Sequence, residues 1–254
     1  MCEMGIFMAV WVISDLHLSL GVVGKNMDVF GEQWKDHYKK IQSNWMESIA
    51  LDDLVLIAGD ISWAMRIEDA MPDLDWLHRL NGVKVMIRGN HDYWWGSVTK
   101  VLQSLPSSIK IVQNNGFDWE DISIGGARLW DSEEYGFNDI IDVEPSELAG
   151  KFVEQDLERQ KKIFARELNR LELSLKNMNP AAKTRIVMTH YPPIGADMKD
   201  SATSKLLERY NVNICVFGHL HGVRRDIPIF GEKNNIRYIL TSCDYIDFKP
   251  IQIA

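Results

Sequence analysis

Val83-Lys84-Val85-Met86-Ile87-Arg88-Gly89-Asn90-His91-Asp92 passes from a nearly continuous apolar run into a polar, turn-forming cluster. Such a run reads as a strand buried on both faces, since a strand with one wet face would alternate polar and apolar side chains. The same passage recurs four times. Val10–Ile13 leads to Asp15-Leu16-His17, Leu54–Ala58 to Gly59-Asp60, Ile186–Met188 to Thr189-His190, and Ile214–Phe217 to Gly218-His219-Leu220-His221. These clusters hold five of the seven histidines. His37 and His78 fall inside helical patterns and read as ordinary helix histidines.

Between the strands lie helical periodicities. Trp34, Tyr38, Ile41, Trp45 and Ile49 recur at spacings that share one helix face, and Leu74, Leu77 and Leu80 do so after Pro72. Strands alternating with helices indicate βαβ units and an α/β fold. In such sheets the polar site forms beyond the carboxyl ends of the strands, where all five clusters sit. The stretch Asp131 to Glu147 carries seven carboxylates and no Lys or Arg, and reads as a solvated loop. It leads into an amphipathic helix with Val153, Leu157, Phe164, Leu168, Leu171, Leu175 and Met178 on one stripe. Ile227–Phe230 and Ile236–Thr241 flank the polar stretch Gly231–Asn235 as the arms of a hairpin would. With no internal repeat, low-complexity tract or linker, the expectation is a single domain over 1–254, with 131–178 as a loop-plus-helix insertion.

Composition narrows the function. With 46% hydrophobic and 25% charged residues the chain matches an ordinary globular protein, and its net charge of -8 disfavours an extended nucleic-acid or anionic-membrane surface. Three cysteines, Cys2, Cys215 and Cys243, lack the spacing of a disulfide framework or zinc knuckle, which points to reduced thiols and a cytoplasmic setting. The apolar stretch Met4 to Ile13 is too short for a membrane span and has no basic n-region. Residues 1–7 read as a dispensable extension before the first strand.

Asp, His and Asn side chains are the oxygen and nitrogen ligands that divalent transition metals accept. In Asp15-x-His17 and His219-x-His221 the two side chains are two apart and point the same way, so each pair can converge on one ion. Asp60 has two carboxylate oxygens with which to bridge two cations, Asn90 adds a neutral amide oxygen, and His190 stands before Tyr191-Pro192-Pro193, where a strand must stop.

The ordered series D-x-H, G-D, G-N-H-D, H and G-H-x-H, spanning Asp15 to His221, resembles the calcineurin-like metallophosphoesterase family. That resemblance implies a four-layer α/β/β/α sandwich with two mixed β-sheets and a binuclear centre above the strand ends. Asp15, His17, Asp60 and His221 would hold one divalent ion, and Asp60, Asn90, His190 and His219 the other, with Asp60 as the bridge. His91 would be the general acid and Asp92 its orienting partner. The implied reaction is hydrolysis of a small phosphate ester by a metal-bound hydroxide, and the mixed donor set suits Mn, Fe, Zn, Ni or Co alike.

Departures from the family's branches refine this. Protein Ser/Thr phosphatases extend the Gly-Asp block with a further Asp and a phosphate-binding Arg, whereas Gly59-Asp60 here runs into Ile61-Ser62-Trp63-Ala64-Met65. The Asp-Leu-His-Leu opening resembles UDP-diacylglucosamine hydrolases, which place Arg where His91 stands. The Gly89-Asn90-His91-Asp92 block is closer to phosphodiesterase branches, so a phosphodiesterase is favoured over a monoesterase. A non-catalytic scaffold of the same fold and a nuclease subunit are the alternatives. Trp63, Tyr93, Trp94, Trp95 and Trp130 lie beside the motifs, where they would either pack the core or stack a nucleobase of a nucleotide substrate. Arg66 and Arg224 are candidate phosphate clamps, with exposed helix or turn arginines as the default reading.

Overall fold

The structure, a computed structural model, describes residues 8–141, 154–227 and 229–254. The proposed extension 1–7, the acidic stretch from 142 to 147 and Val153 lie outside these residues. Five strands form the first sheet: β1 (Val10–Ile13), β2 (Leu54–Ile57), β3 (Val83–Met86), β4 (Ile109–Ile111) and β11 (Ile251–Gln252). Their order is β11-β1-β2-β3-β4, parallel throughout except for β11, which runs antiparallel to β1. The second sheet comprises β5 (Phe117–Trp119), β6 (Ile122–Ala127), β7 (Thr184–Thr189), β8 (Ile214–Phe217), β9 (Gly231–Lys233) and β10 (Ile236–Leu240). It is ordered β5-β6-β7-β8-β10-β9, with both edge pairs antiparallel and the centre parallel.

Why the strand runs lack alternation is visible in the packing. Val12, Leu56, Val85 and Ile87 of the first sheet meet Ile186, Met188, Ile214 and Val216 of the second in a core between the sheets. The intervening Ile13, Val55, Ile57 and Met86 face the other way, against Ile41 and Trp45 of α1 (His37–Ser48) and Leu74 and Leu77 of α2 (Ile67–Arg79). On the opposite side Val187, Cys215 and Phe217 pack on Leu171 and Leu175 of α4 (Glu154–Lys176) and on Leu206 and Leu207 of α5 (Ala202–Arg209). A short helix α3 (Val98–Ser104) joins β3 to β4. Three apolar interfaces between four layers give the expected α/β/β/α sandwich with two mixed sheets. The central strands β2 and β8 are buried on both faces, and hydrophobic burial there favours an unbroken apolar run.

Three local expectations change. The hairpin exists, but its first arm is Gly231–Lys233 rather than Ile227–Phe230. The turn is the pair Asn234-Asn235, both left-handed at φ 49° and 63°, a conformation that asparagine accepts readily. The stripe of α4 is buried only in its second half, where Leu171, Leu175 and Met178 sit in the core while Leu157 is exposed. Strand β6 follows no apolar pattern because it contains Gly125 and Gly126. A Cβ on Gly125 would lie 2.6 Å from Met178 Sδ, so the glycine lets the α4 end pack directly onto the sheet.

Candidate metal centre

The five clusters converge because the chain turns sharply as each strand ends. Asp15, His17, Asp60 and His219 adopt left-handed backbone conformations at φ 57°, 45°, 52° and 72°. Asp, Asn and His visit that region more readily than most residues, though at some energetic cost. Cross-strand hydrogen bonds hold the turns in place: Asp15 N–H donates to Gly59 O at 3.0 Å, His17 N–H to Asp60 O at 3.0 Å and Gly218 N–H to His190 O at 3.1 Å. Close approach requires glycine at two points. A Cβ on Gly89 would stand 2.0 Å from Asp60 Oδ1, and one on Gly218 would stand 2.2 Å from Asp15 Oδ2.

All seven nominated ligands come together. Asp15, His17 and His221 form one group, and Asp15, Asp60 and His190 another, each with its ligand atoms within 4.8 Å of one another. Asp60 Oδ2 lies 3.4 Å from His190 Nε2 and 3.8 Å from His17 Nε2, between the two groups. Asn90 Oδ1 is 2.6 Å from His190 Nε2 and 3.0 Å from His219 Nδ1. Ser14 Oγ donates to Asp15 Oδ2 at 2.5 Å, and the His219 N–H donates to the same carboxylate at 3.1 Å.

Burial and the carboxylates pull the histidines in opposite directions: against burial, Asp60 and Asp15 take His190 up to about 9, and Asp244 and Asp15 raise His221. Burial pushes His17 well below the usual imidazole range and takes His219 down to about 3, so both rings are neutral. Asp60 is held well below the usual carboxylate range: burial opposes its charge, but His190 and His17 beside it prevail. Burial raises Asp15 despite His221 and His190. His190 faces the carbonyl of Ala58 through Nδ1 at 3.0 Å, which leaves Nε2 aimed at Asp60 and Asn90. His17 Nε2 and His221 Nε2 stand 3.2 Å apart, while His17 Nδ1 is buried with no hydrogen-bond partner among the described residues. Nitrogen and oxygen donor atoms of seven side chains thus converge on one spot, where like atoms such as His17 Nε2 and His221 Nε2 face each other. Divalent transition ions fit that donor set.

His91 lies at the mouth. Its backbone N–H donates to Asp60 Oδ1 at 2.8 Å, and its ring packs on Trp63 at 4.4 Å between centroids. The expected partnership with Asp92 is not what the geometry gives. Asp92 is fully buried, and its carboxylate accepts the backbone N–H groups of Gly89, Ile61 and Ser62 and the Trp94 indole. His91 Nδ1 has no hydrogen-bond partner among the described residues. Four donors satisfy Asp92, so it shapes the Gly89–Asp92 turn and leaves ring orientation to Trp63.

Other nominated residues divide between site and core. Trp63 stacks on His17 at 5.0 Å between centroids, whereas Trp94 and Trp95 are core residues. Tyr93 is exposed, and Trp130 packs on Tyr191, which in turn covers His219. Arg66 pairs with Asp69 and Arg224 with Asp226. Neither lines the pocket of about 480 Å³ beside His91, which is formed mainly by Met27, Phe30, Trp34 and Trp63 with His17 and His221. His37 is more than a helix residue, since its ring faces the carbonyls of Leu16 at 3.0 Å and Trp34 at 3.2 Å and so braces the Asp15-His17 turn. His78 is exposed, against Ser108. Asp244, unnoticed in the sequence, accepts from His221 Nδ1 at 2.8 Å.

The sequence profile of the calcineurin-like phosphoesterase family matches residues 8–223. The chain belongs to that family. A relative, the gene 66 protein of Mycobacterium phage D29, is 36% identical over 83 residues, a segment spanning 33% of this chain and 40% of the phage protein. Among solved structures, the phosphopantetheinyl hydrolase of Mycobacterium tuberculosis superposes with a TM-score of 0.53 at 16% identity, covering 96% of this chain and 95% of that one. A protein of unknown function from Aquifex aeolicus covers the same shares at a TM-score of 0.48 and 16% identity.

Proposed function

We propose that this member of the family is a binuclear metal-dependent phosphoesterase acting on small phosphodiesters that carry one flat apolar ester group. The single observation that carries the reading is the position of Asp60 Oδ2, shared between the His17 and His190 sides of one buried donor cage. Asp15, His17, Asp60 and His221 would hold one ion, and Asp60, Asn90, His190 and His219 the other. When bound, the ions supply Lewis acidity to the phosphoryl oxygens and to a water. The chain's own residues do the rest. Asp60 and Asp15 offset only part of the cations' charge, which leaves the site electrophilic toward an anionic ester. His91, at the open side of the cage, donates the proton that the departing ester oxygen needs.

The preference for a diester rests on the pocket beside His91. Its lining of Met27, Phe30, Gln33, Trp34 and Trp63 includes no Lys or Arg. A monoester dianion gains nothing from that wall, whereas a nucleobase or other planar group gains both desolvation and stacking. Buried, unpaired Cys215 and Cys243 support a cytoplasmic setting, and among the described residues no helix is long and apolar enough to cross a membrane. Metal analysis of the purified protein, beside activity on bis-p-nitrophenyl phosphate and p-nitrophenyl phosphate with added Mn²⁺, tests the proposal. The expected result is bound divalent metal and the higher kcat/KM on the diester. Protein that takes up no metal and is inert toward both overturns it.

A further inference from the structure

A second cleft, of about 150 Å³, opens where the chain leaves β3, β4 and β6 beneath α4. It shares no lining residue with the pocket beside His91. Arg88, Arg128 and Arg170 line it together with Gln113 and a single carboxylate, Glu167. Glu167 is buried and already engaged by two of them, Arg128 at 3.3 Å and Arg170 at 2.8 Å. Arg128 is also held from its other side by the Trp130 ring, 4.6 Å away.

Arg88 differs from its neighbours. Its guanidinium makes no hydrogen bond or ion pair among the described residues, and its Nε is buried without an acceptor. A half-buried guanidinium with five donors and no acceptor is costly unless a ligand completes it. In a chain of net charge -8, this is a pocket where positive groups outnumber the negative.

We infer that the Arg88–Arg128–Arg170 cleft is a second oxyanion site, built for one phosphate group and separate from the metal centre. Planar guanidinium forks match phosphate oxygens, and a phosphate offers more oxygens to these donors than a second carboxylate beside Glu167 would. The volume admits a phosphate group. The cleft is joined to the metal ligands through the backbone. Arg88 stands two residues before Asn90, and the Arg128 carbonyl accepts the N–H groups of His190 at 3.1 Å and Tyr191 at 2.9 Å. Its phosphate comes either from the distal end of a substrate or from the free pool.

Calorimetric titration of the metal-loaded protein with inorganic phosphate tests the site. Arg88→Gln should bind one phosphate equivalent fewer than wild type, with metal content and melting temperature unchanged. Arg88→Lys should keep the equivalent at an affinity weaker on the order of tenfold, since a point charge replaces the fork. Arg170→Gln, at a more exposed position, should weaken it too, and Arg66→Gln, away from the cleft, should not. Equal stoichiometry and Kd in wild type, Arg88→Gln and Arg170→Gln overturns the inference. Any equivalent that depends on added metal reports separately on the metal centre. If ADP binds wild type more tightly than AMP and loses that advantage in Arg88→Gln, the phosphate is the substrate's. If the two nucleotides bind alike while the phosphate equivalent is still lost, it is free phosphate.

Discussion

Asp244 Oδ1 accepts a hydrogen bond from His221 Nδ1 at 2.8 Å, and its second oxygen accepts the Gly222 N–H at 3.0 Å. The pair fixes the tautomer and ring plane of His221 and directs Nε2 toward Asp15 and His17. Asp244→Ala should therefore weaken the affinity for a metal ion held at His221, as proposed, by about 10- to 100-fold. Asp244→Asn, which keeps an accepting oxygen, should lose less. Chelator-competition titrations of the variants measure both.

His91 bonds to the cage through its backbone N–H, which alanine keeps, and its ring meets His17 edge-on at 5.7 Å, so His91→Ala should keep its metal content. Its activity on alkyl phosphodiesters should fall by about 10²- to 10⁴-fold. Loss on p-nitrophenyl esters should be much smaller, because that leaving group departs without a proton. Equal losses on the two substrates remove His91 from the acid role.

Asp73 of α2 ties two site loops together, accepting from Leu20 N–H at 2.7 Å and from Ser62 Oγ at 2.5 Å. Burial raises its carboxyl to about 6 against these two bonds. A folded pKa above the unfolded value of 3.8 means that the native state holds the proton more tightly. This group thus contributes most stability below pH 4, and the contribution is lost as pH rises toward 6. The loss is on the order of 2 kcal/mol. Urea midpoints of wild type and Asp73→Asn across pH 4 to 7 should differ in slope, the variant lacking this fall.

A Cβ on Gly126 would meet the Met188 carbonyl of the neighbouring strand at 2.4 Å, while one on Gly125 would meet side chains alone, the flexible Met178 at 2.6 Å and Ser174 Oγ at 3.2 Å. Gly126→Ala should cost about 1–3 kcal/mol of stability, and Gly125→Ala less. Denaturant unfolding of the two variants ranks them.

The strands that carry the site were legible because burial on both faces leaves an unmistakable composition, and each cluster marks the point where burial ends. Strands β4, β5 and β6 were not, being either three residues long or interrupted by glycines, of which Gly125 admits Met178 and Gly126 the Met188 carbonyl of the next strand. Asp244 stood outside any His-containing cluster, yet it follows β10 as Asp15 follows β1, and the strand-end rule alone would have found it. Asp92 shows the opposite limit. Adjacency to His91 suggested a partnership, but in a tight turn neighbouring side chains point apart, and its four acceptor bonds all go to its own surroundings. The Arg88 cleft joins residues from four separate segments and has no sequence signature of its own.

The family profile ends at residue 223, but the architecture around the cage does not. Beyond it come β10, the carboxylate that steers His221, and β11, which seals the flank of β1 and returns Ala254 O to the N–H of Val10. A fragment cut at the profile boundary would retain every proposed ligand yet have lost the clasp that keeps Asp15 and His221 in register. Such a piece should come out of expression as an open-edged, metal-poor sandwich prone to self-association.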